Sequence, residues 1–412
     1  MRIQIFLVIN FISLLLYSQE KSIYFNSDIN FETNAINGSF INELLFNGYI
    51  NDQVKDNVLS INKDRHIVNF TFNNSIKYTE PLNNGFSLNL SISDVNNLNT
   101  TFNNDLLRLI LKGNYESQNE LLEFNQTRVR ANRYQQLKLF LDYKRDDSSI
   151  GLGLSYIQGN HHLTLTSNRG SLFTSYLGES LDLDYDINAY ITDTSSFSPF
   201  NNNGNGIAID LAGSISMFNR KFNIYLMNLG FILWNNKSSN IYVDSSFTFN
   251  GIEIDNLFEF NDSILEASNI IDDYDNLVNE NKRFKSYLSS DIGVRISKKV
   301  KNDKFGMITY GVNTKWQPYL DDKKLSFKKI RQGFIESNYK PFYYVETEII
   351  TKKYSLLPKI AYGGYTNNLN LNLGVKFKRK ISVILGTQHL EYLFTKKNSR
   401  GFGLYIKLFK NI

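Results

Sequence analysis

Three aspartates, each two residues from the next, have types and spacing that could support chemistry. In "LDLDYDINAY" (181–190), Asp182, Asp184 and Asp186 alternate with apolar residues. A calcium loop, an acidic active site and a β-strand with one wet face could each contain such a row. A calcium loop starting at Asp182 requires glycine at its sixth position, where Ile187 stands. The alternation therefore favours a strand whose acidic face lines a water-filled space.

Two roles for this acidic row remain open. Closely spaced carboxylates in a pore raise the local concentration of cations and repel anions. Alternatively, the carboxylates form ion pairs with Lys or Arg of neighbouring strands, because unpaired carboxylates at this spacing tend to become protonated. A fourth carboxylate lies on the polar face of "GIAIDLAGSISM" (206–217). We predict four lumen-lining residues: Asp182, Asp184, Asp186 and Asp210.

The sequence offers no basis for an active site, a cofactor or a metal centre. It contains no Cys, which excludes disulfides, thiolate nucleophiles and thiolate metal sites. His161 and His162 follow "QGN" at a predicted turn, where exposed histidines are favoured over metal ligands. No nucleophile elbow or zinc-protease motif is present. The net charge of +5 is small and diffuse, which argues against nucleic acid. We predict no enzyme activity, no cofactor and no metal.

Alternation with a period of two recurs along the chain and predicts strands with unlike faces. In "NLNLNLGVKFK" (368–378), apolar residues alternate with Asn, Gly and Lys. The same split appears in segments 68–78, 86–93, 137–143, 149–156, 206–217, 286–297, 305–316 and 401–409.

Two segments, 103–114 and 262–284, place apolar residues at helical spacing instead, and we predict short inserted helices there. For 262–284, a gate inside the molecule or across its mouth and a helix on the extracellular rim remain alternatives.

These strands fit a membrane barrel better than a secreted β-sandwich. The apolar faces match the about 9–11 residues that a tilted membrane strand needs. The opposite faces are small and polar, and aromatic residues cluster at strand ends. A mean hydropathy of −0.31 agrees, because only alternate residues of such strands face lipid. We predict an all-β fold, a transmembrane antiparallel β-barrel of about fourteen strands.

The N-terminus predicts export. Residues 1–18, "MRIQIFLVINFISLLLYS", carry one charge and then an apolar run, as secretory signal peptides do. The run is shorter than the roughly 18–20 residues of a membrane-spanning helix. Residues 19–412 are predicted to form one barrel domain in the outer membrane. If the C-terminus is periplasmic, the "KRK" turn (378–380) is periplasmic too and the 390–400 loop lies outside.

Residues 103–235 resemble an uncharacterised outer-membrane barrel family of Bacteroidota, a domain of unknown function. In that family a Gly-rich loop leads into an A-x-D-L-G strand, and the following hairpin ends in D-L-G-F-I-x-W. The matching residues here are Gly204, Gly206, Ala208, Asp210, Leu211, Leu229, Gly230, Phe231, Ile232 and Trp234. Ala212 stands where Gly is usual and Asn228 where Asp is usual. The resemblance implies a layout similar to FadL-like and PorP/SprF-like barrels, although the N-terminal "NPA" motif of the latter is absent.

Two functions remain in competition. One is passive uptake of a small solute through a partly plugged lumen, with hydrophobic solutes among the candidates. The other is a non-transporting barrel that anchors or scaffolds an envelope complex for secretion, gliding or adhesion. A third interpretation is a soluble secreted β-protein. The expected partners are outer-membrane lipid, a small-molecule solute and an envelope protein.

Overall fold

The computed structural model describes residues 21–44, 49–61, 63–192, 201–250, 278–300, 302, 304–319, 326–395 and 399–412. The predicted signal peptide lies outside these residues.

A closed antiparallel ring of fourteen strands forms the body of the molecule and confirms the predicted fold class. The ring consists of β1 (Ser22–Thr33), β2 (His66–Pro81), β3 (Phe86–Phe102), β5 (Arg128–Arg145), β6 (Ser148–Thr174), β8 (Gly204–Met217), β9 (Arg220–Trp234), β12 (Lys285–Tyr287) running on into β13 (Ser290–Lys299), β14 (Phe305–Trp316), β15 (Lys340–Ile350), β16 (Tyr354–Gly364), β17 (Asn368–Phe377), β18 (Ser382–Gln388) and β19 (Gly401–Asn411). The first and last strands close the ring, with Ser22 opposite Asn411 and Glu32 opposite Gly401. Closure leaves no free edge in the wall.

The period-two alternation sorts side chains between the outside and the inside of the ring. Leu137, Leu139 and Leu141 of β5 point outward and are 39–46% exposed, although they are large and apolar. By contrast, Asn69 and Asp210 point inward and are buried. A continuous apolar outer belt with a polar interior is the arrangement that a barrel in lipid requires.

The two ends of the ring differ. Six short connections, at 82–85, 146–147, 218–219, 300–304, 351–353 and 378–381, share one end, which we call the short-turn end. The "KRK" turn belongs to this end, as does the C-terminus. The long connections, including 34–65, 103–127, 317–339 and 389–400, lie at the opposite end, which we call the loop end.

Further strands of the same hydrogen-bonded sheet extend the wall beyond the ring at the loop end and form what we call the extension sheet. Strand β6 runs on past the top of β5, and its upper part, 163–174, pairs with β7 (Leu181–Ile191). The other strands of this extension sheet are β4 (Leu121–Glu123), β10 (Ser239–Phe249) and β11 (Val278–Asn281). The ring closes without them, because the lower part of β6 pairs directly with β8.

Helices cover the loop end. They are α1 (Gly38–Asn42), α2 (Asp52–Leu59), α3 (Asn104–Lys112), α4 (Phe327–Glu336) and α5 (Glu391–Phe394). Four of them share a small apolar core that includes Phe40, Val58, Leu107 and Tyr392. Among the described residues, no helix has both the length and the apolarity to cross a bilayer. The predicted helix at 103–114 is confirmed as α3, which begins after the N-cap Asn103.

The inserted segments include more helices than predicted, and one predicted helix lies largely outside the described residues. The predicted helix at 262–284 lies largely outside the described residues, but its end forms strand β11, because 278–281 pairs with the β10 edge. The described chain also has five helices rather than one or two, because the loop-end connections are long enough to build their own apolar core.

The hairpin of β8 and β9 packs its two backbones closely at Gly230. This glycine lies opposite Ala208, and a Cβ on it would overlap the backbone oxygen of Ile207. Gly213 on β8 is different, because the nearest atom to its Cβ position is Ile224 Cγ2 at 3.7 Å.

We expect Gly230→Ala to lower the free energy of unfolding by about 1–3 kcal/mol, because the backbones must move apart. Gly213→Ala is the matched control, with an expected change within about 0.5 kcal/mol. The measurement is reversible urea unfolding in lipid vesicles, with heat-modifiable gel mobility as the test of folding. Equal losses in the two variants would contradict the close approach at Gly230.

Candidate functional site

A segment between β14 and β15 crosses the mouth of the ring at the loop end. The structure describes this strap at 317–319 and 326–339, with α4 inside it. Arg130 on β5 donates a hydrogen bond to the carbonyl oxygen of Gln317 at 3.3 Å, and its guanidinium lies 4.4 Å from the ring centre of Tyr319. Because β5 and β14 are five strands apart around the ring, these contacts join nearly opposite walls.

Further contacts hold the far end of the strap. Arg128 forms an ion pair with Glu336 at 3.5 Å, and Asn338 Nδ2 donates to Asn99 Oδ1 on β3 at 3.0 Å. Glu336 also accepts a hydrogen bond from the Tyr319 backbone N–H at 2.8 Å. Both ends of the strap are therefore tied to the same wall.

The packing of Trp316 against helix α4 stabilises the shape of the strap. Gly333 leaves room for the indole of Trp316, which donates from Nε1 to the Ile330 carbonyl at 2.9 Å. The sequence prediction contains no helix at α4. Phe327, Ile330 and Phe334 recur at helical spacing and were the signal that could have revealed it.

Below the strap, a polar cavity of about 800 Å³ runs along the lumen. Strands β1, β2, β15, β16 and β19 supply most of its wall. Its charged lining residues are Asp28, Glu32, Lys315, Glu346, Glu348, Lys359 and Lys407, and its aromatic ones are Tyr24, Tyr339, Phe342, Tyr365 and Tyr405. The remainder are mainly Asn, Ser and Thr. A cavity of this size is in the usual range for small-molecule sites, roughly 300–1,000 Å³.

Asp210 lies inside the ring and joins a buried polar network. Its Oδ2 contacts Lys138 Nζ at 2.6 Å, and its Oδ1 accepts from the Asn228 backbone N–H at 2.5 Å. Lys138 lies on β5, two strands away, and reaches Asp210 across Gly153. Asn228 has a positive φ of 58° at a bulge in β9, so the carboxylate holds this bulge in place.

The family motif builds the wall beside this network. Trp234 is buried, and its Nε1 donates to Ser286 Oγ at 2.8 Å. Its ring lies where side chains on Gly159 and Gly204 would stand. Phe284 packs against the same indole, with ring centres 6.0 Å apart. The motif residues thus form packing that narrows the lumen and none of them lines the polar cavity.

The acidic row of β7 belongs to the extension sheet and is not part of the polar cavity's lining. Asp184 forms an ion pair with Arg169 at 2.7 Å, and Arg169 also pairs with Asp244 at 2.7 Å. Asp182 accepts a hydrogen bond from Thr248 Oγ1 at 2.7 Å, and Asp186 accepts one from Asn168 at 3.2 Å. Asp184 therefore forms an ion pair of the kind that the second role requires, whereas Asp182 and Asp186 have neutral hydrogen-bond partners on neighbouring strands.

The histidine pair is not at an exposed turn, so that prediction is wrong. His161 and His162 lie within the long strand β6, because "QGN" forms a bulge and not a turn. His162 is buried, accepts or donates a hydrogen bond with Thr164 at 2.7 Å and also contacts Asn132. Across the described ranges, no group of three or more His, Asp or Glu side chains could hold a metal ion.

His389 fastens helix α5 to the rim of the ring at the loop end, beyond the apolar belt. Its Nδ1 lies 3.1 Å from Glu391 Oε1, and its Nε2 lies 3.7 Å from Glu32 Oε1. Burial alone lowers the pKa of this imidazole, but the two carboxylates outweigh burial and raise the pKa of His389 to about 9. The ring is therefore charged at neutral pH.

We expect stability to fall as this imidazole loses its proton. The raised pKa stabilises the fold fully below the ordinary pKa of 6.5, and the contribution disappears as the pH rises through about 9. Its full size is on the order of 3 kcal/mol. The urea midpoint of the wild-type protein should therefore decline between about pH 7 and pH 10.

His389→Gln should show a smaller decline over this window, because it has no titrating imidazole. His66→Gln, which alters another loop-end histidine, is the control and should keep the wild-type decline. Identical pH dependence in the wild type and His389→Gln would contradict the assignment.

Comparisons with known proteins identify one matching family and several solved barrels with a similar fold. The model of a family of unknown function, DUF5723, matches residues 18–335. No curated protein matches the sequence. Solved structures with a similar fold include the toluene transporter TbuX of Ralstonia pickettii (8% identity, 96% of this chain and 90% of that chain, TM-score 0.44). A FadL homologue of Pseudomonas aeruginosa is 9% identical over 95% of this chain and 89% of its own, with a TM-score of 0.41. The translocator domain of the autotransporter NalP of Neisseria meningitidis is 6% identical over 100% and 95%, with a TM-score of 0.36.

Proposed function

We propose that this chain, which belongs to the family of unknown function DUF5723, is an outer-membrane channel for a small solute. The observation that carries the proposal is a closed ring with an apolar outer belt around a polar cavity of about 800 Å³. Only a closed barrel or a helix satisfies its backbone hydrogen bonds in lipid, and the belt supports the barrel alternative. The predicted signal peptide at 1–18 agrees with export.

The direction of the channel follows from its two ends. Outer-membrane barrels have short turns on the periplasmic side and longer loops outside. We therefore assign the short-turn end to the periplasm and the strap, the helices and the extension sheet to the cell surface. In this orientation, lipid contacts the outward side chains such as Leu137 and Ile207, and a solute enters past the strap.

The lining of the cavity supports a polar solute over the hydrophobic one that the sequence left open. Carboxylates, lysines and carboxamides make up half of its lining residues. A hydrocarbon in this space would leave buried polar groups without hydrogen bonds, at a cost of about 1–3 kcal/mol for each group.

A second candidate is a non-transporting anchor for an envelope complex. The extension sheet favours it, because the sheet projects from the loop end and exposes Asp182 and Asp244. Stable co-purification with an envelope protein, together with a sealed lumen, would support the anchor and contradict the channel.

We expect single-channel openings from the refolded protein in a planar bilayer, and the strap should control them. Arg128→Ala/Arg130→Ala removes the ion pair with Glu336 and the cation–π contact with Tyr319. Losing contacts of this kind should raise the ratio of open to closed states about tenfold.

Arg145→Ala is the matched control, since this residue lies on the same strand at the short-turn end with its side chain 78% exposed. It should leave the open-to-closed ratio unchanged. Silence from the folded, inserted double variant would contradict the channel.

We also expect Asp182→Asn/Asp184→Asn/Asp186→Asn to keep the wild-type ion selectivity. The three carboxylates belong to the extension sheet and have partners there, so a change should not alter the field in the lumen. Reversal potentials in asymmetric salt test this. A shift towards anions in the triple variant would give the acidic row its predicted role in the conduction path.

A further inference from the structure

We infer that the polar cavity binds neutral polyhydroxylated solutes, that is, short saccharides. This inference rests on the proposed channel and names its class of solute. Three features of the cavity carry it: paired charges, partly unbonded carboxamides and an aromatic ring that lies flat on the wall.

Most of the charges in the cavity are neutralised within the wall. Lys315 pairs with Asp291 at 2.6 Å, and Lys359 lies 3.9 Å from Glu346. Glu348 lies 3.5 Å from Lys376, and Glu32 contacts the charged His389. Such pairing leaves little net field for a permanent ion, so a neutral solute fits better than an anion or a cation.

The carboxamides of β1 and β2 keep hydrogen-bonding capacity free. Asn73 donates to Asp28 at 3.3 Å, while its Oδ1 has no hydrogen-bond partner among the described residues. Asn69 accepts from Asn99 at 3.4 Å, while its Nδ2 has no partner in the same part of the chain. Asn30, only 8% exposed, likewise has an unpartnered Oδ1.

All three residues line the cavity in one strip, and their unpartnered atoms, two acceptors and one donor, are buried in its wall. A sugar hydroxyl is both a donor and an acceptor, so a row of such hydroxyls can satisfy this strip.

An aromatic platform adjoins the same strip. The ring of Tyr405 lies where side chains on Gly374 and Gly386 would stand, so one of its faces rests on the wall. Tyr405 lies opposite Asp28 in the register and lines the cavity. The C–H face of a pyranose ring can stack on such a surface while its hydroxyls reach the neighbouring carboxamides. Hydrocarbons could use the ring but not the amides, and a cation at the ring would meet Lys407 Nζ, which lies 5.0 Å from the ring centre.

The test uses the ion current of the refolded full-length protein, with maltotriose, cellotriose and N,N′,N″-triacetylchitotriose as neutral probes. At least one trisaccharide should interrupt the current in a saturable way, whereas the zwitterionic peptide tetra-alanine should not. Tyr405→Leu and, separately, Asn73→Ala should each raise the apparent dissociation constant of that saccharide about tenfold. Tyr310→Leu changes a half-exposed tyrosine on the outer face and is the matched control, with no expected change.

The outcomes separate this inference from the channel itself. A conducting protein that no trisaccharide interrupts, or that tetra-alanine interrupts as strongly, overturns the saccharide inference and leaves the channel standing. A folded protein that stays silent even as Arg128→Ala/Arg130→Ala overturns both. If Tyr405→Leu loses its heat-modifiable mobility, Asn73→Ala decides, and an unchanged dissociation constant in that variant overturns the inference.

Discussion

The pairing of β1 with β19 is the constraint on which the remaining structure depends. A sheet surrounded by hydrocarbon has no water to satisfy a free edge, so the ring must close through backbone hydrogen bonds. Closure from Ser22–Asn411 to Glu32–Gly401 brings together the two ends of a long chain. It also sets the position of Asp28 beside Tyr405 and of Asn26 beside Lys407, so the wall of the polar cavity exists only in the closed ring.

Inside the ring, local departures from regular strands divide the lumen into a packed side and an open side. On the packed side, the bulge at Asn228, held by Asp210, and the glycines under Trp234 let large side chains occupy the interior. On the open side, the strands leave a cavity of about 800 Å³ between their charged, carboxamide and aromatic side chains. The same hydrogen-bonded wall thus provides both rigidity and a passage.

The period-two pattern was sufficient to predict the barrel and its number of strands, since each wall strand must alternate. It could not tell which strands form the ring and which extend beyond it, because β7 alternates just as the wall strands do. The acidic row was therefore predicted in the lumen. Asp210 is buried inside the ring, and its partner Lys138 depends on the register of two intervening pairings, which no local pattern contains.

The length of strand β6 has a mechanical consequence for the extension sheet. It runs without interruption from Ser148 at the short-turn end to Thr174 in the extension sheet. Its lower part is bonded on both sides within the ring, to β5 and to β8, so a continuous strand and not a flexible linker joins the extension sheet to the wall. A force applied to the extension sheet is transmitted as shear along β6 to the wall beside Asp210. Packed side chains narrow the lumen there. The extension sheet and the wall around the lumen are therefore mechanically coupled through one strand.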